Sequence, residues 1–496
     1  MAKNPQKVAI LGAGPAGLAV GHELSANGTS VVVLERNDFV GGLCRTIEEE
    51  GYKFDLGGHR WFTKNEELND WFRRLMEGEL VLVDRISRIY YKGKFFEYPI
   101  SFGDIIKNTG PFTIAHAGLS FLWAILKQAM RPVPIVNMQQ AYTVQFGAKL
   151  YDMFFRRYTE KVWGKPCDEL SADWVSQRSK GLSIWTLVGN ALQKKDKTIA
   201  SLIEQFMYPR DGFVRIPERM AEDIAKAGNH IHLSSAVTGI VYHGPNDFEV
   251  RYRDGAGESS VRAEAVVSTI PLGVLTRIIE PNCDAQTEAA ARALKFRDLI
   301  TVNVRLARKQ VTRDTWLYIQ DEEILFGRMH EPKNWSAAMV PDDQHTSLVL
   351  ECFCTKGDHI WSQSDDAIAK RCVRDLVDKL GFIKEEEVVG WQVVRTTQAY
   401  PVYDLQYQHN TGIVKRFLAR HEGLHMVGRG GSFRYNNSDH SIEMGLLLGR
   451  RLLGEEVDYT AVNTEAEYQE EIHEHEAERD RYHGGKAAAS EAAASK

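Results

Sequence analysis

Six residues near the start of the chain, Gly12-Ala13-Gly14-Pro15-Ala16-Gly17, have the spacing G-x-G-x-x-G. They lie between a short apolar stretch, 7–11, and a longer apolar run that closes on the acid Glu35. Each position has a chemical reason. Gly12 permits a tight turn, Gly14 lets backbone approach a pyrophosphate, and Gly17 lets a helix lie close against a strand. A helix starting at this turn directs unpaired N–H groups and the positive end of its dipole toward phosphate. Strand, turn, helix, second strand and terminal acid are all present, so 7–35 reads as a dinucleotide-binding unit. Ala16 and Arg36, beside Gly17 and Glu35, join the candidate cofactor-binding residues.

The residues after Glu35 separate one dinucleotide from another. Gly41-Gly42-Leu43-Cys44-Arg45-Thr46 is succeeded by Phe54-Asp55-Leu56-Gly57-Gly58-His59. Together they resemble the N-terminal signature of FAD enzymes of the amine-oxidase and UDP-galactopyranose mutase group, in which paired glycines let the chain pass close to the flavin diphosphate and ribityl. The resemblance implies FAD rather than NAD, held by Gly41, Gly42, Leu43, Arg45, Gly57, Gly58 and His59. Met426-Val427-Gly428-Arg429-Gly430-Gly431-Ser432, followed by Asp439 and an apolar helix expected from Ser441, is similar to the group's closing flavin segment. It adds Gly428, Arg429, Asp439, His440 and Ser441, with Val237 contributed from the middle of the chain. Two ends of the sequence are thus expected to build one site.

The elements that must bring these segments together are spread over 496 residues, 43% hydrophobic and 26% charged, enough for a large core and two or three structural regions. A formal charge of -6 provides no basic field and argues against a nucleic-acid partner. Cysteines 44, 167, 283, 352, 354 and 372 show no metal-ligand spacing beyond a lone C-x-C, so reduced thiols, no metal and a cytoplasmic location are expected. The start MAKNPQK lacks the apolar stretch of a signal peptide. Residues 114–126 are almost continuously apolar but only about two thirds of a spanning length, so a buried core helix is expected in preference to a membrane-surface contact.

Segments 230–237 and 263–271 read as strands, 101–204 has helical periodicity, and 299–355 is rich in alternating β-branched and aromatic residues. The expected fold is α/β: a discontinuous Rossmann-type FAD-binding domain with a helical insertion and a β-sheet insertion. The FAD-binding domain comprises 1–100, 205–298 and 395–460. A helical substrate domain spans 101–204 and a sheet-containing one 299–394, while 461–496 forms an acidic and alanine-rich tail set aside from the chemistry.

Further motifs sharpen the resemblance to UDP-galactopyranose mutases, particularly the eukaryotic-type ones, over residues 5–455. They are Asp55 to His59, Tyr98-Pro99, Tyr158-Thr159-Glu160-Lys161-Val162-Trp163, Trp174 to Arg178, Trp316-Leu317-Tyr318 with Phe326-Gly327-Arg328, Tyr400-Pro401, and Gly428-Arg429 through Tyr435 to Asp439-His440-Ser441. The resemblance implies that Arg178 and Arg328 are the two phosphate-binding and catalytic arginines, and that Tyr318, Tyr400 and Tyr435 donate their hydroxyls to the substrate diphosphate. Two guanidinium forks and neutral phenols suit a nucleotide-sugar. His59 is expected to position the flavin ring or stabilise its reduced form, not to act as a proton-transferring base. In such mutases reduced FAD is the nucleophile on the anomeric carbon, and pyranose and furanose forms interconvert as UDP leaves and returns. The implied substrate is UDP-galactose or a related nucleotide-sugar. No second complete dinucleotide fingerprint identifies the flavin's reductant.

The match departs from the family around the base. Ile100-Ser101 stands where the eukaryotic-type enzymes have Phe-Gln, Thr159-Glu160 follows Tyr158 where they have Asn, and the stretch between Tyr435 and Asp439 is shorter. Loss of an amide that pairs with uracil weakens discrimination unless another residue replaces it. A second reading is therefore an FAD-dependent oxidoreductase of the protoporphyrinogen or amine-oxidase kind acting on another phosphorylated or prenyl-phosphate substrate, and a third is a non-catalytic binding protein. Trp163, Trp174 and Trp316 are expected to contribute buried area.

Overall fold

The computed structural model describes residues 4–98, 102–178 and 205–463, so the tail from 464 onward and the Pro99-Ile100-Ser101 positions lie outside the described residues. At the centre is a five-stranded parallel sheet in the order Leu424–Met426, Ala265–Ser268, Lys7–Leu11, Ser30–Leu34, His230–His232. Val8 to Leu11 are wholly buried, as expected of a parallel strand covered on both faces. The helix Pro15–Ala26 comes next in the chain, with Pro15 in its first turn where a missing N–H costs no hydrogen bond. A Cβ on Gly17 would stand 2.2 Å from the Gly12 carbonyl oxygen, which is why that position is glycine. This is the α/β Rossmann-type arrangement with insertions that the motifs imply.

The helix Ser438–Leu452 lies across Pro15–Ala26 through small residues. A Cβ on Gly445 would fall 2.4 Å from the Ala16 carbonyl oxygen, and one on Gly449 2.6 Å from Glu23 Cβ. This helix begins three residues before the expected Ser441. The extended Asn437 precedes it, and its backbone N–H donates to His440 Nδ1 at 3.2 Å.

The single strand expected over 230–237 is instead two. His230–His232 joins the parallel sheet, whereas Ala236–Gly244 joins a four-stranded sheet with Asp247–Asp254, Gly257–Ala263 and Ile279–Glu280. The break falls where Ser234 adopts φ +50° and Ser235 N–H turns back to the Glu35 carbonyl at 2.7 Å. A third sheet has seven strands, in the order Val388–Pro401, Phe296–Leu306, Thr346–Cys354, Arg328–His330, Trp316–Ile319, Ser87–Tyr91, Lys94–Glu97. Its last two strands come from the N-terminal hundred residues. Every residue of Thr346–Cys354 is buried.

Helices Phe102–Thr109, Pro111–Met130, Met138–Tyr151 and Arg157–Trp163 lie between these strands in sequence. The structure corrects one expectation among them: the apolar run 114–126 is not a core helix. Along Pro111–Met130 only Ala117, Phe121 and Ala124 are buried, while Leu119 and Trp123 are 68% and 63% exposed. Small residues let one face press closely on the next helix, where a Cβ on Gly147 would lie 2.8 Å from Phe121 Cα. Among the described residues the opposite face has no such cover. No helix among the described residues is long and apolar enough to cross a membrane.

The contact between Pro15–Ala26 and Ser438–Leu452 provides a direct test. Gly445→Ala forces a methyl against the Ala16 carbonyl and is expected to cost about 1–3 kcal/mol. A thermal scan with flavin absorbance should show a lower midpoint and reduced flavin content; an unchanged midpoint would refute the close approach.

Candidate functional site

At the C-terminal end of the parallel sheet the chain leaves a cradle of backbone. Gly12 has φ +105° and donates its N–H to the Leu34 carbonyl at 2.8 Å, and Gly41 donates to the Ala13 carbonyl at the same distance. A Cβ on Gly42 would sit 3.3 Å from Gly14 Cα, and one on Gly428 2.9 Å from Ala16 Cβ. Glycines from three separated segments therefore converge on one short stretch. Glu35 closes its rim: Oε2 accepts the Ala13 N–H at 2.8 Å and Oε1 accepts the Asn37 N–H at 2.9 Å. Leu43 lies in the turn Gly42–Cys44, and the Arg45 guanidinium stacks 3.8 Å from the Phe39 ring centroid. Arg36 is exposed beside this rim, and Val237 lies two residues past the Ser235 that bonds Glu35.

The Asp55-Leu-Gly-Gly-His59 turn is held by a buried carboxylate. Asp55 accepts from Thr46 Oγ1 (2.5 Å), Tyr208 Oη (2.7 Å) and the Phe213 N–H (3.1 Å); burial nevertheless pushes its pKa up to about 6. Gly58 has no room for a side chain, since a Cβ would meet Trp316 at 2.0 Å. His59 stacks on Phe213, centroids 5.3 Å apart, and its enclosed Nδ1 has no hydrogen bond among the described residues. Burial, with Arg429 and then Arg328 adding repulsion, pulls its pKa down to about 3. Near neutral pH His59 is a neutral ring and not a cation.

Arg328 begins the strand Arg328–His330, paired with Tyr318 on Trp316–Ile319. Its Nη2 donates to Glu351 Oε2 at 2.6 Å and to Tyr400 Oη at 2.8 Å, while its enclosed Nε has no partner among the described residues. Burial opposes the charge, but Glu351 outweighs it and holds the guanidinium firmly protonated. Tyr400 stacks on Tyr435, centroids 5.6 Å apart, and Arg429 lies 5.2 Å from both ring centroids. Tyr318 contacts Tyr98 and Tyr158 at 5.0 and 5.7 Å. Burial moves the Tyr400 phenol up to about 12, so it remains a neutral hydroxyl. Tyr318, Arg328, Tyr400 and Tyr435 thus come together. Arg178 ends the short helix Asp173–Arg178, and its side chain lies outside the described residues.

Several residues at this cluster were not among the sequence candidates. Glu351 is fully buried, and besides taking Arg328 it accepts the Gly58 N–H at 3.3 Å. A lone acid in the apolar run TSLVLECFC was the available signal, because a buried carboxylate requires a partner. Tyr158 opens the motif that ends at Trp163, which was its signal. Trp163 and Trp174 pack as expected, yet they pack on the cluster itself: Trp174 meets Tyr435 edge-on at 4.5 Å and Trp163 lies 6.1 Å from it. Lys161 donates to the carbonyls of Asp321 and Phe326 and so holds the loop leading into Arg328.

The first turn of Ser438–Leu452 carries Asp439, His440 and Ser441, all buried. Ser441 Oγ donates to the Asn437 carbonyl, and Asp439 Oδ2 accepts no hydrogen bond among the described residues. Arg429 is anchored by the Asn436 and Ala399 carbonyls at 2.8 and 2.9 Å. A glycine cradle, an unsatisfied buried acceptor at Asp439 and an unpaired imidazole nitrogen at His59 fit a dinucleotide carrying both diphosphate and hydroxyl groups. Among the described residues no cluster of His, Cys, Asp and Glu is suited to a metal ion.

Residues 15–430, which hold most of this site, match the flavin containing amine oxidoreductase family. Protoporphyrinogen oxidase 1 from the chloroplast of Spinacia oleracea is 23% identical over 349 residues, covering 65% of this chain and 59% of the relative. An L-amino-acid oxidase of Sistrurus catenatus edwardsii is 37% identical over 324 residues, 59% of this chain and 56% of the relative. The chain thus spans between half and two thirds of the length of these relatives. Among solved structures, reduced UDP-galactopyranose mutase superposes with a TM-score of 0.78 at 21% identity, covering 93% of this chain and 98% of the other.

His330, buried next to Arg328 and stacked on Trp335 at 4.4 Å, generates a pH dependence. Burial, then the Arg328 charge, holds its folded pKa near about 3, against 6.5 unperturbed. Between those values the unfolded chain binds the extra proton, so this residue's contribution to stability is lost as pH falls below the unfolded value. His330→Phe keeps the stack and removes the proton. Its melting temperature minus that of wild type should rise from pH 7 to pH 4; a difference constant with pH would refute the assignment.

Proposed function

The chain belongs to the flavin-containing amine oxidoreductase family, with FAD as its cofactor, and on that premise we propose that it is a nucleotide-sugar mutase interconverting pyranose and furanose forms, with UDP-galactose or a related nucleotide-sugar as substrate. The observation that carries this reading is the enclosed cluster of one arginine and three phenols, Arg328 with Tyr318, Tyr400 and Tyr435, tied through Glu351 to the Gly57-Gly58-His59 turn.

Glycines 12, 14, 17, 41, 42 and 428 would admit the cofactor diphosphate at the start of Pro15–Ala26, Glu35 would take a ribose hydroxyl, and Asp439 a further hydroxyl. Arg45, Arg429 and the first turn of Ser438–Leu452 would line the remainder. Bound and reduced, FAD supplies a nucleophilic ring nitrogen for the anomeric carbon of the sugar. Neutral His59 would position the ring without adding charge. Arg328 would hold the sugar diphosphate through forked donors, with Arg178 as the second arginine that the resemblance implies, and the three phenols would add further hydrogen bonds. Negative charge grows on the diphosphate as its bond to the sugar breaks. A guanidinium already charged and fixed by Glu351 stabilises that charge without reorganisation. The aromatic wall of Tyr158, Trp163 and Trp174 would exclude water, which otherwise captures the activated sugar.

A second reading draws on the relatives named as protoporphyrinogen and amino-acid oxidases. In it the same cluster serves an FAD-dependent oxidation of another phosphorylated or prenyl-phosphate substrate.

The two readings separate in one experiment. The protein is reduced with dithionite under argon and incubated with nucleotide-sugar pyranoses and furanoses, and the products are resolved by HPLC. Ring interconversion that appears only in the reduced sample supports the mutase; oxidised flavin bleached by another substrate, with no isomerisation, moves the assignment to the second reading. Arg328→Lys keeps a cation opposite Glu351 but loses the fork, and should lower kcat/KM by about 100-fold with flavin content unchanged. Wild-type turnover in that variant would exclude the role given to Arg328.

A further inference from the structure

Helix Pro111–Met130 presents an apolar stripe to solvent. Phe112, Leu119, Trp123, Leu126 and Met130 are each more than half exposed and recur at helical spacing along one face. Beyond the helix, between and after Pro132 and Pro134, Val133, Ile135 and Val136 continue the patch. Isolated exposed apolar residues are ordinary; a contiguous stripe of this length marks a contact surface. The opposite face, through Ala117, Phe121 and Ala124, is buried, so the helix lies along the surface and does not stand away from it.

The charge around the stripe identifies the partner. From 105 to 151 the chain contains no Asp or Glu but four cations, Lys107, Lys127, Arg131 and Lys149, a local +4 in a chain whose formal charge is -6. Lys127 and Arg131 are exposed beside Leu126 and Met130. A twofold dimer through this face would set a cationic patch against its own copy. An anionic surface with an apolar layer beneath it satisfies both components. We propose that this face docks in the interfacial layer of an anionic lipid bilayer, with the stripe in the acyl boundary, Trp123 at headgroup depth, and Lys127 and Arg131 on lipid phosphates. The contact is peripheral, since no described helix is long and apolar enough to span. It is independent of which flavin reaction the protein performs.

The test uses the full-length, FAD-loaded protein and sucrose-loaded vesicles of phosphatidylcholine, with and without phosphatidylglycerol. Wild type is expected to pellet with the anionic vesicles at least about tenfold more than with the neutral ones, and to be released by salt. Two exposed-face variants, Trp123→Ser with Leu126→Ser and Lys127→Glu with Arg131→Glu, should each lose pelleting while retaining wild-type flavin absorbance. The proposal is overturned if wild type stays in the supernatant with both vesicles or if both variants pellet like wild type. It is equally overturned if wild type sediments as a dimer without lipid and the Trp123→Ser, Leu126→Ser variant sediments as a monomer, which would make the face an interface between copies.

Discussion

Glu351 is the constraint around which the candidate site is arranged. A carboxylate placed in a strand buried on both faces cannot remain unpaired, and here it takes the Arg328 guanidinium and the Gly58 amide together. That double contact ties the seven-stranded sheet to the Gly57-Gly58-His59 turn. Asp55 secures the same turn from its other end through Thr46, Tyr208 and Phe213. Stability alone does not ask for such an arrangement, because well-packed apolar residues do as well as a buried ion pair or better. What the pair provides is a cation at a defined point, bonded to the Tyr400 phenol that burial keeps neutral.

A second constraint is steric. Helices Pro15–Ala26 and Ser438–Leu452 meet so closely that Ala16, Gly445 and Gly449 leave no volume for larger side chains. Backbone rather than side chain therefore forms much of the cradle surface, which leaves amide groups available to an anionic ligand. Polar recognition and close packing are met by the same small residues.

The nucleotide-binding end was legible because its information is local. Within 7–35 Gly17 has a steric reason that a short stretch of chain reveals, the 2.2 Å approach to the Gly12 carbonyl oxygen. The clustering of Tyr318, Arg328, Tyr400 and Tyr435 was legible only through resemblance, since their contacts cross long sequence separations. Other features depend on what lies opposite them. The apolar run 114–126 contains no information about whether a neighbour covers its second face. The division of 230–237 between two sheets turns on one positive φ at Ser234, a residue type with no strong preference for it. Glu351 is a lone acid in an apolar run, which signals that a partner is needed, but only the structure names Arg328 and Gly58 as those partners.

The order of strands in the parallel sheet has a consequence for how the protein is made. Lys7–Leu11 is synthesised first yet lies in the middle, between Ser30–Leu34 and the much later Ala265–Ser268, with Leu424–Met426 last at the edge. Such long-range pairings form slowly, and each waits until its partner strand has been made. A ribosome that releases the chain before the final strand and helix leaves Ala265–Ser268 as an open sheet edge and the Ala16-to-Glu23 face of the first helix bare. One edge of Lys7–Leu11 can pair early with Ser30–Leu34, whereas its other edge waits for the much later Ala265–Ser268.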